Sequence, residues 1–126
     1  MKDELVSFEV AELAKKKGFD WMSYFYEDGE FFYEWLVYED SQIDVSRVIL
    51  RPTQSLLQRW LREEYQIIVN SYANASGYCW ESHYTPERGG THIADSEFSG
   101  PNESGCWNTY EQALEKGLQK ALELIK

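Results

Sequence analysis

The chain is short of positive charge. Twelve lysines and arginines stand against 22 aspartates and glutamates in 126 residues, a net charge of −10. Phosphate backbones are held by clustered cations, so this balance argues against nucleic acid as a partner. Histidine and cysteine are also scarce, two of each. Cys79, His83, His92 and Cys106, even with Asp95, show no short chelating interval. On one strand Cys79 and His83 would stand about 13 Å apart at roughly 3.3 Å per residue. No metal or other cofactor is expected. Long apolar runs are missing, and no window approaches the length of a membrane span. The opening MKDELVSFEVAELAKKKGF lacks both the apolar core and the small-residue cleavage site of a signal peptide. A cytoplasmic address follows as an expectation; two cysteines in a reducing compartment are more often free, although whether Cys79 and Cys106 ever pair is left open by the sequence. The glycosylation patterns at Asn74-Ala-Ser76 and Asn102-Glu-Ser104 then have no role. No glycine-rich phosphate loop or nucleophile elbow is present, so no catalytic residue is assigned and the chain is read as a non-enzyme.

Aromatic residues, in contrast, are plentiful, at 16% of the chain within a hydrophobic total of 43%. That is enough for one packed domain over 1–126 without staples. A helix is expected from the N-cap Ser7 through Val10, Ala11, Leu13 and Ala14, closed by Gly18 with Phe19 folding back over the cap. The stretch RPTQSLLQRWLREEY looks at first like a helix for a DNA groove. Pro52 and Thr53 start it, but Leu56, Leu57, Trp60, Leu61 and Tyr65 form a single apolar stripe, the mark of a helix docked to a core. Residues 66–73 and 78–84 read as a hairpin joined by Asn-Ala-Ser-Gly, with Gly77 available for positive φ. Strands at 43–50 and 91–98 are undecided. The last helix starts at Thr109 with Gln112 as its capping-box partner and runs to Ile125, presenting Tyr110, Ala113, Leu114, Gly117, Leu118, Ala121, Leu122 and Ile125 to the core. Gly117 inside it costs about 1 kcal/mol relative to alanine, which implies a close approach to a sheet.

The densest feature is WMSYFYEDGEFFYEWLVY, two aromatic runs joined by Asp28-Gly29, a favoured hairpin pair. A turn there pairs Glu27 with Glu30 and Phe25 with Phe32. One face then carries Met22, Tyr24, Tyr26, Phe31, Tyr33, Trp35 and Val37 and is read as core. The other mixes Trp21, Phe25, Phe32 and Leu36 with Glu27, Glu30 and Glu34. Trp21, Phe25, Glu27, Glu30, Phe32 and Glu34 are therefore the expected interaction face. The order of elements predicts an α+β fold, an antiparallel-rich sheet of two hairpins with about three helices packed on one face.

PTQSLLQRWLREEY, the NASGY turn at 74–78, NTYEQALEKGLQKALELI and the opening LVSFEVAELAKKKGFD together resemble a family of short proteins found in gut Bacteroidales and in their phages and mobile elements. The likeness implies a fold and a genomic setting; the family has no established activity to transfer. The chain departs from it between Trp21 and Arg51 and from Glu81 to Trp107. The expected function is that of an interaction protein binding a basic host protein, or itself as a homodimer, through the acidic aromatic hairpin. The alternative is a pocket for a small anionic, nucleotide-like ligand, using Trp35, Trp80 and Trp107 for stacking and Arg51, Arg59 and Arg88 for charge.

Overall fold

The computed structural model describes residues 4–21, 24–27, 30–32, 49–96 and 99–126, with backbone alone for 24–27 and 30–32. Within them lie α1 (Phe8–Lys16), β1 (Tyr24–Glu27), β2 (Glu30–Phe32), β3 (Ile49–Arg51), α2 (Gln54–Tyr65), β4 (Ile67–Asn74), β5 (Gly77–Tyr84), β6 (His92–Asp95) and α3 (Tyr110–Glu123). The fold is α+β, as expected. Its two hairpins do not share a sheet: the antiparallel orders are β2-β1-β3 and β4-β5-β6.

The first hairpin has the register that an Asp28-Gly29 turn requires, Phe25 opposite Phe32 and Glu27 opposite Glu30. The turn itself, the side chains assigned to its two faces other than Trp21, and residues 43–48 lie outside the described residues, Glu34 and Trp35 among them. On the other side β1 pairs with β3, Phe25 opposite Leu50. The second hairpin is tighter than its sequence suggests. Asn74 pairs with Gly77, leaving Ala75 and Ser76 as a two-residue turn, with the Ser76 N–H donating to Asn74 Oδ1 at 2.8 Å. Gly77 takes φ +134°.

Each helix begins where its sequence places a cap. Ser7, Thr53 and Thr109 accept through their hydroxyls from the N–H groups of Val10, Leu56 and Gln112. At the end of α1 the Phe19 N–H reaches back to Ala14 O and Gly18 N–H to Lys15 O, with Gly18 at φ +97°. This is the Schellman closure, and it turns Phe19 into the core. Leu57, Trp60 and Leu61 of α2 are buried and Leu56 and Tyr65 pack beside them, so the arginine-rich helix is a core element. In α3 the stripe from Ala113 to Leu122 is buried, whereas Tyr110 in its first turn is 41% exposed and leaves the stripe expected for it.

The core joins both sheets. Leu50 of β3 meets Val6, Leu57, Leu61, Ile67, Val69, Leu114 and Leu118 in one cluster. Gly117 sets how closely α3 sits on β4 and β5: a Cβ there would lie 2.9 Å from Val69 Cγ1 and 3.0 Å from Trp80 Cβ.

Candidate functional site

The N-terminal segment, the start of α2 and the first turns of α3 converge on one cleft. Residues 4–6 run beside the β3–α2 junction: Leu5 bridges Thr53, Val6 N–H donates to Pro52 O, and Gln54 N–H donates to Glu4 O at 2.7 Å. Arg51 Nε donates to Val6 O at 2.6 Å. The buried amide of Gln54 then ties this corner to α3, donating to Glu111 O at 2.8 Å and lying 3.4 Å from Glu115 Oε2. Ser7 N–H donates to Glu115 Oε1 at 2.6 Å, which places that carboxylate at the positive end of α1.

The result is an open cleft of about 700 Å³ with Glu4, Glu111, Glu115 and Arg51 on its rim and Pro101 and Trp107 on its wall. Three carboxylates face one guanidinium. Glu115 is engaged at the helix end; among the described residues, Glu4 and Glu111 have no hydrogen bond or ion pair through their carboxylates. Partial burial, followed by the charges of Glu111 and Glu115, holds the Glu4 carboxyl above its usual range. Negative charge is therefore concentrated at this opening, beside the Arg51 guanidinium.

That shift fixes a pH dependence. A carboxyl whose folded pKa is raised binds its proton better in the folded chain, so its contribution is present below the unfolded value and is lost as pH rises through the folded one. Glu4→Gln is accordingly expected to raise the melting temperature slightly near neutral pH at low salt. The gain should vanish in acid, where Glu4 is protonated in both states. Added salt should reduce it by screening the charges of Glu111 and Glu115, while the part due to burial persists. Thermal melts of the two chains across pH check both limbs.

The expected site residues are dispersed. Arg51 and Trp107 meet in this cleft, the latter only 8% exposed. Trp80 is corrected to a core residue: it is 1% exposed, beneath Gly117, because it lies opposite Ser71 on the helix-facing side of β5. Trp21 is half-buried against the core with the Arg59 guanidinium 6.0 Å from its ring. Arg59 pairs with Glu63 at 3.1 Å. Arg88 lies 4.0 Å over the Tyr84 ring and donates to Tyr65 O at the end of α2. Arg59 and Arg88 border separate clefts along α2, of about 350 and 670 Å³, with Arg62 common to both. The aromatic and arginine set for an anionic ligand is thus divided among three places, and Trp35 is outside the described residues.

On the face of the second sheet away from the helices, His83 lies 3.4 Å from Glu81 and His92 3.8 Å from Asp95, their rings 5.7 Å apart. Among the described residues no three potential ligands are grouped to hold a metal, and no helix is long and apolar enough to cross a membrane. Cys79, on the same face of β5 as Glu81 and His83, is buried against Cys106, both thiols free and 3.2 Å apart at sulfur. Sequence reasoning missed Glu4, Glu111 and Glu115; the hydrogen bond that marks their meeting spans 108 positions. The one local signal was Ser7, a cap that fixes the start of α1 at this corner.

No family model matches the chain, and neither do curated proteins or solved structures.

Proposed function

We propose that the chain is a non-enzymatic interaction protein whose cleft between the N-terminal segment and α3 accepts a lysine or arginine side chain of a basic partner protein. The observation that carries this reading is the gathering of Glu4, Glu111 and Glu115 around one opening, where the Glu4 proton is held more tightly through partial burial and, secondarily, through the charges of the other two. A bound cation relieves that repulsion, so binding energy is available at this spot that no neutral or anionic ligand could draw on. Pro101 and Trp107 supply an apolar wall for the stem of a lysine or the plane of a guanidinium. The net charge of −10 extends the attraction beyond contact and speeds encounter with a basic surface. The aromatic hairpin around Trp21, Phe25 and Phe32 remains part of the proposed contact surface, and the chain's setting in phages or mobile elements rests on the sequence resemblance. The proposed address is cytoplasmic.

The test is a calorimetric titration with a short arginine- and lysine-rich peptide at low and moderate salt. Binding is expected to weaken steeply with salt and to fall about tenfold in Glu111→Gln, the worth of one charge-assisted contact. Equal affinity in the variant would overturn the assignment. Preference for a nucleotide over the peptide would favour the anionic-ligand alternative and move attention to Arg62, which borders both clefts along α2.

A further inference from the structure

We propose that Cys79 and Cys106 are a reversible disulfide site, whose closure clamps the segment 99–107 onto β5. The backbone has already brought them into place. Tyr78 and Trp107 exchange both hydrogen bonds of an antiparallel bridge, N–H to O at 2.9 and 3.1 Å. The next positions on the two strands, Cys79 and Cys106, then face each other as a pair without hydrogen bonds, where Cα atoms stand about 4.5 Å apart. That lies within the roughly 4.4–6.8 Å that a disulfide spans, so the bond needs rotation of side chains and no movement of strands.

The segment carrying Cys106 is held in that register by its own contacts. Asn102 Oδ1 accepts from the N–H groups of Ser104 and Cys106, while Asn102 Nδ2 and Ser104 Oγ both donate to Ser76 O at the tip of the second hairpin. Gly77 shows how close the two backbones are: a Cβ there would lie 2.8 Å from both Trp107 O and Asn102 Nδ2. Both thiols have 0% exposure, yet their cover is thin. Asn74 Nδ2, donating to Cys79 Sγ at 3.4 Å, belongs to an exposed turn residue whose swing would open a path.

The co-reactant is a low-molecular-weight disulfide. One protein thiol gives up its proton and its sulfur attacks the small disulfide, expelling one small thiolate. The second protein thiol, deprotonated in turn, attacks the mixed disulfide and expels the other. Two S–H bonds break, one protein S–S bond forms, and the small disulfide is reduced by two electrons to two thiols. Burial pushes the Cys79 thiol up, so the exchange is slow and quickens as pH rises. Trp107 and Pro101 belong to the clamped segment and also wall the acidic cleft, so closure stiffens that wall; the disulfide itself stands whether or not the cleft binds a cation.

The experiment incubates the folded chain in native buffer with oxidised glutathione, then denatures it in iodoacetamide and measures the intact mass. The expected product is lighter than the reduced chain by two hydrogens, carries no alkyl group, yields a peptide linking Cys79 to Cys106, and reverts in dithiothreitol. Its melting temperature should lie about 10 °C above that of the reduced chain. Two alkyl groups after prolonged oxidation, persistent glutathione adducts, or disulfide-linked dimers would each overturn the proposal. Cys106→Ser, if folded, should take one alkyl group and lose the oxidation-dependent rise in melting temperature; retention of that rise would count equally against the pair.

Discussion

Trp60→Ala is expected to cost about 4 kcal/mol, the upper range for truncating a buried tryptophan, and to lower the melting temperature by about 15 °C for a domain of this length. The reason is the position of the indole. It is 2% exposed on α2, with the Phe19 ring 5.4 Å away at 76° and the Tyr65 ring 5.2 Å away at 67°. Both are edge-to-face contacts, which add to the loss of buried area. Collapse into the vacated space is restricted on two sides. Phe19 is fixed by the closure of α1, and Tyr65 is fixed through its hydroxyl, which donates to Lys17 O at 3.1 Å. The higher helix propensity of alanine returns only about half a kcal/mol. Chemical denaturation of the two chains measures the difference, and a loss below about 1 kcal/mol would mean that this junction is not where α1 and α2 are joined.

Gly117→Val is expected to cost about 3 kcal/mol, although valine has the better intrinsic helix propensity of the two. The nearest atoms to a new Cβ are Val69 Cγ1 at 2.9 Å, Trp80 Cβ at 3.0 Å and Trp80 Cγ at 3.2 Å. Trp80 Cβ cannot rotate away, because it is fixed to the backbone of the central strand of its sheet. The helix must lift, and the stripe of Leu114, Leu118, Ala121 and Leu122 loses contact along its length. Gly117→Ala separates the two contributions: it carries the same Cβ overlap without the two γ-methyls, and its gain of about 1 kcal/mol in propensity offsets only part of that overlap, so it should lie below glycine and well above valine in stability. If valine were as stable as alanine, α3 would not be seated on Val69 and Trp80.

These sites also show which parts of the architecture sequence alone could disclose. Gly117 was readable because a glycine in an otherwise good helix demands a reason, and the sheet beneath it supplies one. Asp28-Gly29 dictated the pairing of Phe25 with Phe32 because the period of a strand leaves no freedom once a two-residue turn is set. Ser7, Thr53 and Thr109 marked helix starts through a hydroxyl three residues ahead of the N–H it accepts from, a contact that is wholly local. What was not readable is non-local. Nothing in Ile49–Arg51 says that it will pair with β1 and divide the two hairpins between two sheets. Trp80 could have faced either way from its strand, and only the register with Ser71 puts it under α3. Glu4 and Glu115 are remote in the chain and meet because α1 packs against α3. Cys79 and Cys106 face each other only because Tyr78 and Trp107 form a bridge across 29 positions of sequence.

The acidic cleft is most directly tested at the Glu4 carboxyl, by following its carbon resonance through a pH titration of the chain alone and of the chain saturated with the basic peptide. In the free chain the Glu4 pKa should lie above the ordinary glutamate value, fall part of the way back in Glu111→Gln, where burial and Glu115 still act, and fall further when the peptide is bound, since a cation in the cleft favours the charged carboxylate. A Glu4 that titrates identically with and without bound peptide would place the partner elsewhere on the molecule and contradict the account.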